Sequence, residues 1–483
     1  MKKLFLSTIF FSFSTFVFGQ TIEKINENKL RSDSLNAKIN YLMEVANVSG
    51  VAVSVFNNNE AVFIRTYGFA NVQKEIPLQQ NSVMYAASFA KMVFAYIAMQ
   101  FVQEKVIDLD RPLVEYLDKP LPDYKIDGWN RGYQDLKNDD RYKKITARMC
   151  LTHTTGFPNW RWFEADKKLK FKFDPGTRYS YSGEGLYLLQ FVIEKITGED
   201  YESISQERVF KPLGMVNTSQ VWQARFDTNI CYGHNSKGEP YEVMKWSEAS
   251  AGGSMSTTLE DFTKFYTAFI NHKGLSKESF KEMTNTQLRI KSRRQFGPLA
   301  IIDSTDNDDI ELGYGLGVGV FKTPFGKAFF KEGHDDGWGH YSVCFPDKKI
   351  AIVIMTNNDN GESIFKELLD YAIGDTFTPW HWQNYIPYNY MPKPVVNIYQ
   401  VTRQDLNTYL GSYSSKQLPI KIEITKNEVN LVARATGEHA FALQAIDENK
   451  FFQADEGILL EFDPIDKTMV LKQSGQTYYF KKE

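Results

Sequence analysis

The sequence predicts an α+β fold (an α/β sandwich): an antiparallel sheet flanked by helices, followed by a small C-terminal antiparallel β-barrel. Three observations carry this. Strand-like runs lie near both ends of a long N-terminal region, with helical patterns between them. Their separation in sequence calls for one sheet assembled from distant pieces. Beyond residue 394, short alternating segments recur about every ten residues, the spacing of a small all-β barrel or sandwich.

The elements follow in chain order. Apolar runs at 50–56 and 61–67 flank Asn57-Asn58-Asn59 and read as a β-hairpin. From 88 to 105, Met92, Ala95, Tyr96, Met99, Phe101 and Val102 share one face at helical spacing. A second helix is predicted over 185–197, with Leu186, Leu189, Val192, Ile193 and Ile196 inward and Gly198 as its stop. Strands at 341–346 and 350–356 are joined by Asp347-Lys348-Lys349. Residues 377–394 are rich in Trp, Tyr and Pro and read as a linker or clasp. The last strands are expected at 420–424, 429–432, 441–445, 458–462, 469–472 and 478–481.

Lys2 and Lys3, an apolar run from Leu4 to Phe18, and small residues at Val17 and Gly19 have the form of a secretory signal peptide cleaved before Gln20. The apolar run is short for a span of about 20 residues, so no stable membrane insertion is expected after cleavage. The organisation is therefore 1–19 signal peptide, 20–376 main domain, 377–394 linker and 395–483 barrel, with the product exported to the periplasm or medium.

Hydrophobic residues at 42% and charged residues at 24% describe a globular chain rather than a disordered one. A net charge of −3 excludes a protein built to grip nucleic-acid phosphates. Cys150, Cys231 and Cys344 are too few and too scattered for a disulfide framework, although one pair could form. No C-x-x-C or H-E-x-x-H pattern supports a metal site.

Ser88-Phe89-Ala90-Lys91 opens the first helix. Positions i and i+3 share a helix face, so Lys91 lies beside the Ser88 hydroxyl, and a desolvated lysine can take a serine proton. The spacing alone is common, and Ser363-Ile364-Phe365-Lys366 repeats it on what reads as an exposed turn. Ser88 has company: Tyr181-Ser182-Gly183 just before the second helix, and Glu332-Gly333-His334-Asp335-Asp336-Gly337 on the approach to a strand. A loop tyrosine can shuttle protons, and a strand edge can supply a backbone N–H to an oxyanion.

With these residues the sequence resembles the penicillin-binding, β-lactamase-like serine hydrolases, nearest to the class C β-lactamase branch. The likeness runs from about residue 47 to about 360. It includes Val48-Ser49-Gly50-Val51-Ala52-Val53, Leu151-Thr152-His153-Thr154-Thr155-Gly156-Phe157, Pro175-Gly176 through Tyr181, Ala251-Gly252-Gly253-Ser254-Met255-Ser256-Thr257 and Tyr314-Gly315-Leu316-Gly317. The resemblance implies a β-lactamase/transpeptidase-like fold, with Ser88 as nucleophile, Lys91 as its basic partner and Tyr181 as general base and then proton donor. It also implies His334 as the group that orients the tyrosine, and the N–H groups of Ser88 and Gly337 as the oxyanion hole. Gly183, Asp335 and Asp336 fall at substrate-facing positions, and His153 at a structural one. No cofactor or metal is implied, and the expected partner is a small-molecule or peptide substrate. Two departures stand out: the family's asparagine after Tyr-Ser is Gly183, and a family glycine is Asp336. They point away from an efficient β-lactamase toward carboxypeptidase, D-aminopeptidase or esterase chemistry. They also leave open a second reading, a catalytically degenerate cell-wall or ligand-binding module on the same fold. The C-terminal segments, introduced by Tyr409-Leu410-Gly411-Ser412-Tyr413, resemble the lipocalin-like barrel appended to many members.

Overall fold

The computed structural model describes residues 21–126, 132–164, 166–391, 395–418, 420–436, 440–454, 457–473 and 476–483. The proposed signal peptide and part of the linker lie outside these residues.

Strands β1 (Gly50–Asn57), β2 (Glu60–Asn71), β3 (Ile76–Pro77), β4 (Leu288–Arg289), β5 (Gly313–Tyr314), β6 (Gly319–Thr323), β7 (Gly326–Asp335), β8 (Trp338–Phe345) and β9 (Ile350–Thr356) form one antiparallel sheet. Their order is β3-β2-β1-β9-β8-β7-β6-β5-β4, so the N-terminal hairpin is zipped to the late strands through the β1–β9 pair. Asn58 and Asn59 both take left-handed backbone (φ 51° and 62°), the turn that matches strand twist in a two-residue hairpin.

Alternation sorts the central strands between two cores. Val51, Val53 and Val55 of β1 and Ile352 and Ile354 of β9 face helices α1 (Ser32–Ala46) and α5 (Phe365–Ile373). Ala52, Phe56, Ala351, Val353 and Met355 face the other core, with helices α2 (Phe89–Gln103), α3 (Gly183–Thr197) and α4 (Leu259–Ile270). Helix α2 differs from the one-faced helix read from its sequence. Every residue from 89 to 101 is buried, because the helix runs between the sheet and the outer helices and presents apolar surface all round. Helix α3 ends at Gly198, whose φ of 73° suits the left-handed cap position.

The three cysteines are free and buried, so no disulfide forms among them. In the clasp, Trp382 is fully buried. It packs against Tyr179 and Phe330 at ring separations of 5.7 and 6.4 Å, and its indole N–H donates to Ser292 Oγ at 3.1 Å. The C-terminal region is a closed eight-stranded barrel, β10 to β17: Gly411–Ser414, Lys421–Lys426, Leu431–Ala435, Phe441–Asp447, Lys450–Gln453, Ile458–Asp463, Thr468–Gln473 and Gln476–Lys482. Its interior is filled by side chains such as Leu431, Leu443, Phe451, Leu460 and Met469.

Candidate active site

Ser88 stands where a short strand, Met84–Tyr85, turns into α2. The turn is made by Ala87 in left-handed backbone (φ 46°), a conformation that costs a residue with a Cβ about 1–2 kcal/mol. Ser88 makes no side-chain cap to the helix, so its hydroxyl has no structural duty there. Lys91 Nζ lies 2.8 Å from Ser88 Oγ and also donates to the Gly252 carbonyl. Lys91 is 2% exposed. Burial, and then the charge of Lys331, holds its amine well below the ordinary lysine range, against an opposing pull from Glu332 and Asp335.

Tyr181 reaches the same hydroxyl from the turn that starts α3. Ser182 fixes that turn: its Oγ accepts the Gly185 N–H at 3.0 Å and donates to the Pro158 carbonyl at 2.8 Å. The Tyr181 hydroxyl faces Ser88, and burial followed by the charge of Glu332 holds the phenol well above its usual range. His153 stacks beneath the ring, 4.3 Å between centroids at 29°. Burial and two neighbouring lysines keep that imidazole well below its ordinary pKa, so it is a neutral platform.

The cation beside Tyr181 is Lys331, a residue absent from the sequence-based site. Lys331 is fully buried, and its Nζ donates to Tyr181 Oη at 3.3 Å, the Glu332 carbonyl at 2.9 Å and Glu332 Oε1 at 2.8 Å. Gln295 Nε2 donates to the same Glu332 oxygen at 2.9 Å, while the Gln295 N–H donates to the Trp382 carbonyl at 2.8 Å. The clasp thus braces the pair. His334 lies three residues along β7, and strand alternation sends its side chain to the opposite face. There it is half exposed, with Nδ1 3.1 Å from Glu362 Oε1, and that carboxylate holds its pKa up to about 9. Its side chain is therefore not the group that orients the tyrosine. A lysine directly after Ala328-Phe329-Phe330 was the signal in the sequence, since a charge inside an apolar strand is either a paired core charge or a functional one.

The Gly337 N–H is also committed elsewhere. It sits in the β7–β8 turn at φ 78° and donates to Asp359 Oδ1 at 2.6 Å. The register offers a different donor. Asp335 pairs with Trp338 across the two-residue turn, so Glu332 and His334 direct their backbone groups away from β8. Strand β6 pairs with β7 only as far as Phe330, which leaves that edge open. A Cβ on Gly333 would lie 3.3 Å from the Phe89 nitrogen, so the open edge passes beside Ser88. The backbone N–H of His334, opposite that of Ser88, is the strand donor facing the nucleophile.

Trp160 occupies the ground between these parts. A Cβ built on Gly183 would fall 2.1 Å from its indole, and one on Gly252 2.4 Å from it. The ring lies 5.6 Å from Lys91 Nζ and stacks on Trp162 at 4.7 Å and 10°. Its loop is pinned by the buried Arg161–Glu184 pair, with Nη2 to Oε2 at 2.7 Å and the Arg161 N–H to Oε1 at 2.9 Å. An indole therefore fills the space an asparagine side chain at position 183 would need. Gly183→Asn is expected to destabilise the protein, and adding Trp160→Ala is expected to recover part of the loss. Chemical denaturation of the two single variants and the double should show a coupling energy of about 1–3 kcal/mol. Additive effects would count against this packing. Of the remaining sequence-predicted positions, Asp335 is half buried and faces the Tyr85 hydroxyl, and Asp336 is exposed on the turn.

The beta-lactamase family model matches residues 35–373. Penicillin-binding protein 4* of Bacillus subtilis (strain 168) is 22% identical, covering 86% of this chain and 91% of that protein. The D-alanyl-D-alanine-carboxypeptidase/endopeptidase AmpH of Escherichia coli (strain K12) is also 22% identical, covering 74% and 92%. Among solved structures, the octameric penicillin-binding protein homologue from Pyrococcus abyssi superposes with a TM-score of 0.58 at 17% identity, over 94% of this chain and 100% of that one. The likeness to that structure is one of fold.

Proposed function

Because the chain belongs to the beta-lactamase family of serine hydrolases, we propose that it is an exported hydrolase that acylates Ser88 and releases the acyl group to water. The substrates are amides or esters, in the class of D-amino-acid peptides, peptidoglycan fragments, small esters or β-lactams. The observation that carries the reading is the 2.8 Å contact between a buried Lys91 amine and the Ser88 hydroxyl, with Tyr181 closing the triangle.

The electrostatics divide the labour between the two partners. Lys91, its amine held down by burial and by the charge of Lys331, is the group placed to accept the Ser88 proton as Oγ attacks the carbonyl carbon. Tyr181, held as a phenol, is the proton donor in reach of the leaving nitrogen or oxygen, and it regains a proton through Lys91. The Lys331 ammonium beside Tyr181 Oη stabilises negative charge that develops there during the transfer. The N–H groups of Ser88 and His334 hold the tetrahedral oxyanion, where each donor contributes about 3 kcal/mol. Water repeats the sequence on the acyl-enzyme.

A fluorophosphonate probe tests this directly. Incubation of the purified chain followed by peptide mass spectrometry is expected to place a single phosphonyl adduct on the peptide containing Ser88. An unlabelled protein, or an adduct only at another serine, would instead favour the binding-module reading.

A further inference from the structure

Where the β7–β8 turn meets the strand that leads to Ser88 lies a cavity of about 240 Å³. Its walls include Tyr85, Trp222, Tyr241 and Trp338, and Asp335 and Asp336 lie along one side. Tyr85 is three residues before Ser88, and its hydroxyl donates to the Gly253 carbonyl at 2.6 Å, next to the Gly252 carbonyl that receives Lys91. Asp335 follows His334, whose backbone faces Ser88. A molecule reacting at Ser88 can therefore extend into this space.

The chemistry of the lining is one-sided. Its charged residues are Asp335, Asp336 and Glu242, with no lysine or arginine among them. The lysines nearer the nucleophile are spent, Lys91 on Ser88 and Gly252, and Lys331 on Tyr181 and Glu332. Burial raises the Asp335 carboxyl above the usual range and the charge of Asp336 adds to the rise, while the Asp336 N–H at 2.9 Å, the charge of His334 and the Tyr85 hydroxyl pull it back. The aromatic faces complement this charge. The Tyr85 and Trp338 rings meet edge-on at 6.5 Å, and Trp246 lies 6.4 Å from Tyr85. Of the lining residues, Tyr241 and Met244 are each about 40% exposed, as is Trp246 beside Tyr85. Aromatic faces and carboxylates together bind organic cations, through ring quadrupoles and direct charge. The same lining repels a carboxylate.

We propose that this cavity is a substrate subsite that seats an ammonium group carried on a short apolar stem, while the scissile carbonyl lies at Ser88. The inference rests on the hydrolase reading above and narrows its substrates to amine-bearing esters and amides rather than carboxylate-bearing ones.

Two measurements test it. The first compares p-nitrophenyl 4-(trimethylammonio)butyrate with its uncharged tert-butyl isostere and with the glutarate monoester. At low salt the cationic ester is expected to exceed the neutral one by about tenfold in kcat/KM, with the anionic ester last. In Asp335→Asn/Asp336→Asn the cation-to-neutral ratio is expected to fall toward one. Equal turnover of cationic and neutral esters by the unaltered protein would overturn the subsite while leaving the hydrolase reading intact. The second does not depend on turnover: calorimetric titration of Ser88→Ala protein with phenyltrimethylammonium. Saturable binding that the added Asp335→Asn/Asp336→Asn changes abolish supports the proposal. Absent binding, or binding those changes do not affect, overturns it.

Discussion

Replacing Ser88 with alanine is expected to lower kcat for any ester or amide the protein turns over by on the order of a million-fold, the cost of deleting a nucleophile that acts with its base as one unit. The fold should not register the change. A serine at a helix N-terminus ordinarily stabilises the helix through its side chain, and losing such a cap costs about 1 kcal/mol. Ser88 makes no such bond, its Oγ being engaged instead by Lys91 and Tyr181. The backbone strain at Ala87 belongs to the preceding residue and survives the substitution. The thermal midpoint should therefore stay within a few degrees of wild type while turnover and fluorophosphonate labelling vanish together. A variant that retained one-hundredth of the activity would remove Ser88 from the mechanism.

How much of this was legible in the sequence depends on the distance over which each feature is encoded. The hairpin around Asn58 and Asn59 and the Ser88–Lys91 pair are local, fixed by turn preference and helix spacing within a few residues, and both lie where the pattern puts them. The barrel strand Lys450–Gln453 is short and was passed over, yet closure requires it between Phe441–Asp447 and Ile458–Asp463. In the site, the difficulty was one of phase. The motif around Gly333 begins at Lys331, and starting it at Glu332 makes His334 the evident cation. Strand alternation places Lys331 at Tyr181 and His334 at Glu362. Trp160 carried no local signal, because its place is set by three segments far apart in sequence, those of Gly183, Gly252 and Lys91. The departure of Gly183 from the family pattern becomes intelligible only when that indole is seen above it.

Lys91→Met separates catalysis from stability more sharply than any other substitution here. Removing the base is expected to lower kcat by about 10²–10⁴-fold, the worth of a positioned general base. Methionine keeps most of the volume inside a fully buried site, so no cavity opens. The free-energy balance runs partly in the variant's favour. The folded chain holds the Lys91 amine well below the ordinary lysine range, whereas the unfolded chain lets it titrate near 10.4. Between those two pH values the unfolded state binds more protons, so wild-type stability rises as pH rises. Below that window, the wild type carries the full cost of confining the lysine in a desolvated site. The variant carries none of it, although the Gly252 carbonyl loses its donor, which costs about 1–3 kcal/mol. Relative to wild type, the variant should therefore be most favoured on the acid side of the window. That advantage should shrink steadily as the pH is raised toward 10, read as the difference between two urea titrations at each pH. A difference that grows with pH would mean that the folded protein raises the Lys91 pKa, leaving an ammonium that cannot take the Ser88 proton.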